Sequence, residues 1–145
     1  MKIVVSLDFS PSSNEVIAFA EKMATLMSSK LWLIHIAAPE PDPVSLGMQP
    51  LPDRSSLAER YRYEHRKLQE IAENMRKKGI DTTALLLQGE TVETITEESR
   101  KLGADMLIMG SHGHGAIYQM LLGSVSEGVI KEAPCPVLLV PLKER

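Results

Sequence analysis

Five short apolar runs, rich in β-branched residues and almost free of polar alternation, recur along this chain with helix-patterned segments between them. Ile3-Val4-Val5-Ser6-Leu7 and Leu31-Trp32-Leu33-Ile34-His35-Ile36 lack the in-and-out alternation of a strand with one wet face, so each is predicted to be a parallel strand covered on both sides. Thr82 to Leu87, Met106-Leu107-Ile108-Met109 and Val137-Leu138-Leu139-Val140 complete the set. Between the first two runs, Val16, Ile17, Ala20, Met23, Ala24 and Met27 fall on one helical face. Ser10 can cap that helix with Pro11 in its first turn, and Ser12 with Glu15 offers an alternative capping box.

A second helix is predicted from about Ser56 to Lys78, with Leu57, Tyr61, Leu68, Ile71, Ala72 and Met75 inward, charged residues on a solvated face, and Gly79 just past its end. Val92, Ile95, Ser99 and Leu102 mark a third, stopped by Gly103, and Ser124 to about Ala133 a fourth, ended by Pro134. The order is β-α-β-α-β-α-β-α-β. With right-handed crossovers it predicts an α/β fold, a doubly wound five-stranded parallel sheet with helices on both faces. Pro39, Pro41, Pro43, Pro50 and Pro52 make the intervening stretch a loop over one sheet edge, too short to link two domains. The 145 residues, 43% of them apolar, are expected to form one domain over 1–145.

The same composition narrows function. The single Cys135 forms no internal disulfide, and the amino terminus lacks a signal-peptide pattern, so the expected compartment is cytoplasmic. A net charge of -3 offers no basic field for nucleic acid or anionic lipid, and no apolar run approaches the ~20 residues that span a bilayer. Nucleic acid and membrane are therefore not expected partners. Tyr61, Tyr63 and Trp32 do not add a basic-aromatic surface of the kind that binds single strands.

In a doubly wound sheet, ligands bind outside the carboxyl ends of the strands where the winding reverses. Asp8 ends the first strand there, and Gly110-Ser111-His112-Gly113-His114-Gly115 follows the fourth. Gly110 and Gly113 can turn main-chain N–H groups toward a phosphate. Gly123 gives a ligand oxygen access to the N–H groups opening the last helix, where Ser124 adds a hydroxyl. Read singly, these glycines are as well explained by loop turns, and Ser124 with Glu127 by a capping box. Neither a P-loop nor a complete dinucleotide fingerprint occurs, and Gln88-Gly89 with Leu139-Val140 lack the carboxylate and lysine of a phospho-accepting receiver. His112 and His114 are too isolated for a metal site, His35 reads as a satisfied core residue, and Cys135 has no nearby base.

Taken together, Gly110, Gly113, Gly123 and Ser124 match G-x2-G-x9-G-[ST], and the chain resembles the nucleotide-binding branch of the universal stress protein family. Met109-Gly110-Ser111-His112-Gly113, Leu121-Leu122-Gly123-Ser124-Val125 and Ala133-Pro134-Cys135-Pro136-Val137 carry the same likeness, which extends to Asp8, Ser10, Ser13 and Leu33-Ile34-His35-Ile36. The resemblance implies a Rossmann-like sheet of the adenine nucleotide alpha hydrolase type in the order 3-2-1-4-5, and a homodimer. It places Asp8 by the nucleoside and Ile36 against adenine. Gly110 and Gly113, with Met109 alongside, would meet ribose and phosphates, and Gly123, Ser124 and Val125 the outer phosphates. The implied ligand is ATP, ADP or AMP, and Mg²⁺ would arrive on the phosphates with several of its waters. Two residues depart from the pattern. Phe9 stands where the family often has glycine, and Gly128 sits inside the last helix at about 1 kcal/mol against alanine.

The glycine stretch holds no lysine or arginine, and neither Lys101 nor Lys131 is placed over the phosphates, so binding with little or slow turnover is expected. The leading expectation is a nucleotide-responsive regulatory or protective dimer acting on a partner protein that the sequence does not name. One alternative is a slow ATPase or an autophosphorylating switch using Ser111, Ser124 or a histidine. The other is a dimeric interaction protein independent of nucleotide. Under each, Val137 to Val140 is an apolar edge suited to pairing with a second copy.

Overall fold

The computed structural model describes residues 1–37, 54–111 and 122–141. Among these, strands β1 (Lys2–Ser6), β2 (Lys30–Ala37), β3 (Thr82–Gln88), β4 (Met106–Gly110) and β5 (Val137–Val140) form one sheet in the order β3-β2-β1-β4-β5. Every pairing is parallel. The chain therefore winds outward from β1 in one direction through β2 and β3, then returns to the other side of β1 for β4 and β5. The reversal lies between β1 and β4, where Val4 stands opposite Leu107 and Val5 opposite Ile108.

Helices α1 (Ser13–Met27), α2 (Arg54–Lys77), α3 (Thr91–Leu102) and α4 (Ser124–Glu132) supply the crossovers. Because successive strand residues point to opposite faces, β1 sends Ile3 and Val5 into one core layer and Val4 into another. The first layer joins them to Val16, Ala20 and Ala24 of α1 and to Leu68, Ala72 and Met75 of α2. The second sets Val4, Ile34, Leu107 and Met109 against Ile95 of α3 and Val129 of α4. Each large side chain so enclosed contributes about 1.5–3 kcal/mol relative to an exposed one. No helix among the described residues is long and apolar enough to cross a membrane.

The helices differ from expectation at two places. Neither Ser10 nor Ser12 caps α1 with its side chain: Ser10 to Ser13 forms a turn closed by a 2.9 Å backbone bond, and the helix starts only at Ser13. The Asp8 carboxylate instead braces the turn that leads into α1, accepting from the Ser10 amide at 2.9 Å and from the Ser13 hydroxyl at 3.2 Å. In α2, Tyr61 is 37% exposed rather than inward, and the residue turned toward the sheet in that part of the helix is Glu64.

Gly128 has its reason in packing. A Cβ built on it would lie 2.9 Å from Cγ2 of Val92, so its bare backbone lets α4 approach α3. The propensity it forgoes is the condition of that approach.

Candidate functional site

The expected site residues are contributed by three neighbouring strands and one helix start. Asp8 follows the central strand β1, which is flanked by β2, bearing Ile36, and by β4, ending in Met109 and Gly110. Ile36 and Met109 both pack into the core layer under α3 and α4, so they share a face of the sheet. Ile36 is half-buried; Met109 is buried and has its backbone rather than its side chain to offer a ligand. Asp8 is exposed, and Ser124 and Val125 stand exposed at the opening of α4. Gly113 lies outside the described residues, as do His112, His114 and the whole Pro39–Pro52 stretch.

The end of β4 and the start of α4 are laced together although eleven residues lie between Ser111 and Gly123 in the sequence. The Gly123 amide donates to the Ser111 carbonyl at 2.9 Å, and the Ser111 amide to Val140 at 3.0 Å. The buried Ser126 hydroxyl lies 2.9 Å from the Gly110 carbonyl and 3.2 Å from that of Ser111, within donating reach of both. This places the first turn of α4 directly over the end of β4. Its N–H groups at Ser124, Val125 and Ser126 have no acceptor among the described residues; Glu127 is the first to find one, at the Gly123 carbonyl. Three such donors with the positive end of the helix dipole behind them form an anion-binding arrangement.

The geometry separates the glycines by role. Gly110 does not turn the chain: it is the last residue of β4, paired with Val140. Gly123 is the N-cap of α4 in ordinary extended conformation, with φ -72° and ψ 161°. Its freedom to adopt positive φ is unused. Since Gly123 is the N-cap, Ser124 and Glu127 do not make a capping box, and the Ser124 hydroxyl is not committed to its own helix.

Phe9 is held at φ +59°, the left-handed region in which glycine is at ease. Its ring centroid lies 4.2 Å from that of His35, and Lys67 Nζ lies over the Phe9 ring, 4.9 Å from its centroid, as a cation against the ring face. His35 in turn sits 2.8 Å from the Leu7 carbonyl through Nδ1 and 3.3 Å from Glu64 Oε2 through Nε2, with Arg60 3.4 Å from the second oxygen of Glu64. Sequence reasoning treated Glu64 as part of a solvated face. The available signal was the coincidence of one histidine in an apolar strand with one glutamate on the inward stripe of the next helix.

At the opposite, amino-terminal ends of the strands, Cys135 precedes β5 and Asp105 precedes β4. Burial, and secondarily the Asp105 carboxylate, push the Cys135 thiol above its ordinary pKa, which favours the unreactive protonated form. Among the described residues, no three His, Cys, Asp or Glu side chains converge as metal ligands would.

The model of the universal stress protein family matches residues 1–141. A universal stress protein of Thermus aquaticus, from the region 3′ of a QAH/OAS sulfhydrylase, is 35% identical over 141 residues, 95% of this chain and 96% of that one. The universal stress protein MJ0577 of Methanocaldococcus jannaschii is 30% identical over 98% of this chain and 95% of its own. Its solved structure superposes with a TM-score of 0.82 and 28% identity, covering 99% of this chain and 97% of that one. The fold is shared more distantly by a universal stress protein solved in complex with cAMP, at TM-score 0.69 and 23% identity over 97% of this chain and 96% of that one. One from Archaeoglobus fulgidus in complex with dAMP gives 0.66 and 20% over 99% and 98%.

Proposed function

The chain belongs to the universal stress protein family, and we propose that it is a single-domain adenine-nucleotide-binding member, a regulatory or protective protein whose surface responds to ATP. The observation that carries this reading is the set of three N–H groups opening α4 that have no acceptor among the described residues, fixed over the end of β4. A phosphate group matches those donors in charge and in number of acceptor oxygens. Gly123 leaves room for it, and the Ser124 hydroxyl adds a further donor.

In this reading Ile36 lines the adenine pocket, Asp8 meets the nucleoside, and the backbone of Met109, Gly110 and Gly113 follows ribose and phosphates. Gly123, Ser124 and Val125 hold the outer phosphates. Mg²⁺ would come with the nucleotide, satisfied by phosphate oxygens and water. The complexes of distant relatives with cAMP and dAMP support adenine as the base. Strand β5 lies at the sheet edge with Val137, Leu138 and Leu139 only half-buried, which supports a homodimer paired through that strand.

Thermal unfolding with and without Mg-ATP tests the site, using AMP and GTP for comparison and Gly123→Glu as the blocked variant. The backbone at position 123 is extended and tolerates a side chain, so the added carboxylate should oppose phosphate without unfolding the protein. At one hundred times Kd, ATP should add about 2.7 kcal/mol. That raises the midpoint by roughly 5–11 °C in a domain of this size. No shift at millimolar ATP, or an equal shift in the variant, would refute the assignment.

A further inference from the structure

Asp8 is flanked on both sides by residues held by one imidazole. The carbonyl of Leu7, immediately before it, lies 2.8 Å from His35 Nδ1, and the ring of Phe9, immediately after it, packs on the His35 ring at 4.2 Å. A carbonyl has no proton to give, so Nδ1 must be the donor, and that bond fixes the orientation of the ring. Nε2 then points at Glu64 of α2, whose carboxylate is itself fixed by Arg60. His35 is 8% exposed and belongs to β2, a strand paired on both sides, so it does not move independently of the sheet.

The turn it holds is one the backbone would not keep unaided. Phe9 has positive φ, which costs a non-glycine residue about 1–2 kcal/mol, and the two bonds made by the Asp8 carboxylate to Ser10 and Ser13 depend on that turn. We propose that His35 is a positioning residue for nucleotide binding: it clamps Leu7 and Phe9 so that Asp8 is presented in one orientation, and Glu64 anchors the clamp to α2. This rests on the reading of Asp8 as a nucleoside contact.

The test compares His35→Leu, which removes the donor, with His35→Asn, whose amide nitrogen stands the same number of bonds from the backbone as Nδ1 and can donate to Leu7. Two measurements are made on each folded variant: the Kd for Mg-ATP by calorimetry, and hydrogen exchange of the Ser10 amide without nucleotide. His35→Leu should weaken ATP about tenfold, about 1.4 kcal/mol, and speed Ser10 exchange; His35→Asn should recover most of both. In an Asp8→Ala background, His35→Leu should leave ATP affinity unchanged, because the residue it positions is gone. Wild-type Kd and Ser10 exchange in His35→Leu, with only a lower melting temperature, would make His35 a core residue and overturn the proposal. If wild-type protein binds no ATP, the nucleotide reading fails by itself. Ser10 exchange then decides the clamp: faster in His35→Leu and restored in His35→Asn sustains it, and unchanged exchange refutes it.

Discussion

Replacing Gly128 with alanine should destabilise this protein, although alanine is the better helix former. Alanine gains about 1 kcal/mol of intrinsic propensity in a helix interior. Against that, its methyl would meet Val92 Cγ2 at 2.9 Å and Cγ1 at 3.3 Å, where carbon atoms prefer about 3.5–4.0 Å. Val92 sits in the first turn of α3, and a valine in a helix has essentially one χ1 rotamer, so it cannot swing aside. The helices must part by several tenths of an ångström, and overpacking of this kind costs about 1–3 kcal/mol. The net expectation is a loss of about 1 kcal/mol, or a melting temperature lower by about 2–4 °C. In a Val92→Ala background both offending methyls are absent, and Gly128→Ala should stabilise by about 1 kcal/mol. Urea unfolding of the four proteins measures the coupling, which should be about 2 kcal/mol between positions 92 and 128. Stabilisation by Gly128→Ala in both backgrounds would refute the close approach of α4 to α3.

Two further outcomes follow from hydrogen bonding and charge. Ser126→Ala removes the hydroxyl that reaches the Gly110 and Ser111 carbonyls, so it should cost about 1–3 kcal/mol in urea unfolding and reduce the ATP-dependent thermal shift. A variant as stable as wild type would show that α4 is held over β4 by other means. Cys135, its pKa raised by burial and by Asp105, should alkylate with iodoacetamide more slowly than a free thiol at about pH 8, and Asp105→Asn should speed it by restoring thiolate. The sign follows from the like charge: removing it lowers the pKa and enlarges the reactive fraction at fixed pH. Equal rates in the two proteins would remove Asp105 as a cause.

What the sequence made legible was whatever repeats. Strands covered on both faces need apolar side chains at every position, and the helices between them need a stripe, so β1, β2 and β4 and the inward residues Leu68, Ala72 and Met75 could be read directly. The strand order came from the family resemblance, since periodicity does not encode it, and the structure has that order. Glu64 was hidden because a charged residue on a long helix ordinarily faces water, and only its three-dimensional neighbour His35 makes the inward placement tolerable. The capping pattern at Ser10-Pro11-Ser12 does not form because Ser10 to Ser13 is a turn braced by the Asp8 carboxylate, and the first backbone bonds go to the Ser10 and Ser12 carbonyls.

Residue type and backbone conformation need separate arguments: Gly110 and Gly123 adopt ordinary strand and extended conformations, while the non-glycine Phe9 takes the left-handed one. This chain places an aromatic residue in the left-handed conformation that suits glycine, a choice that a strain argument alone forbids. The strain of about 1–2 kcal/mol is comparable with what the partial burial of a phenylalanine and a cation over its ring return. Glycine at this position would adopt the turn freely and leave it as freely. Phenylalanine leaves it only by giving up its contacts with His35 and Lys67. The Asp8 turn is therefore ordered before any ligand arrives, and a ligand that uses it does not bear the entropy of fixing it. Phe9→Gly should accordingly be the converse of His35→Leu in cause but not in effect: strain is relieved, yet the turn loses its hold on the imidazole and Ser10 exchange quickens.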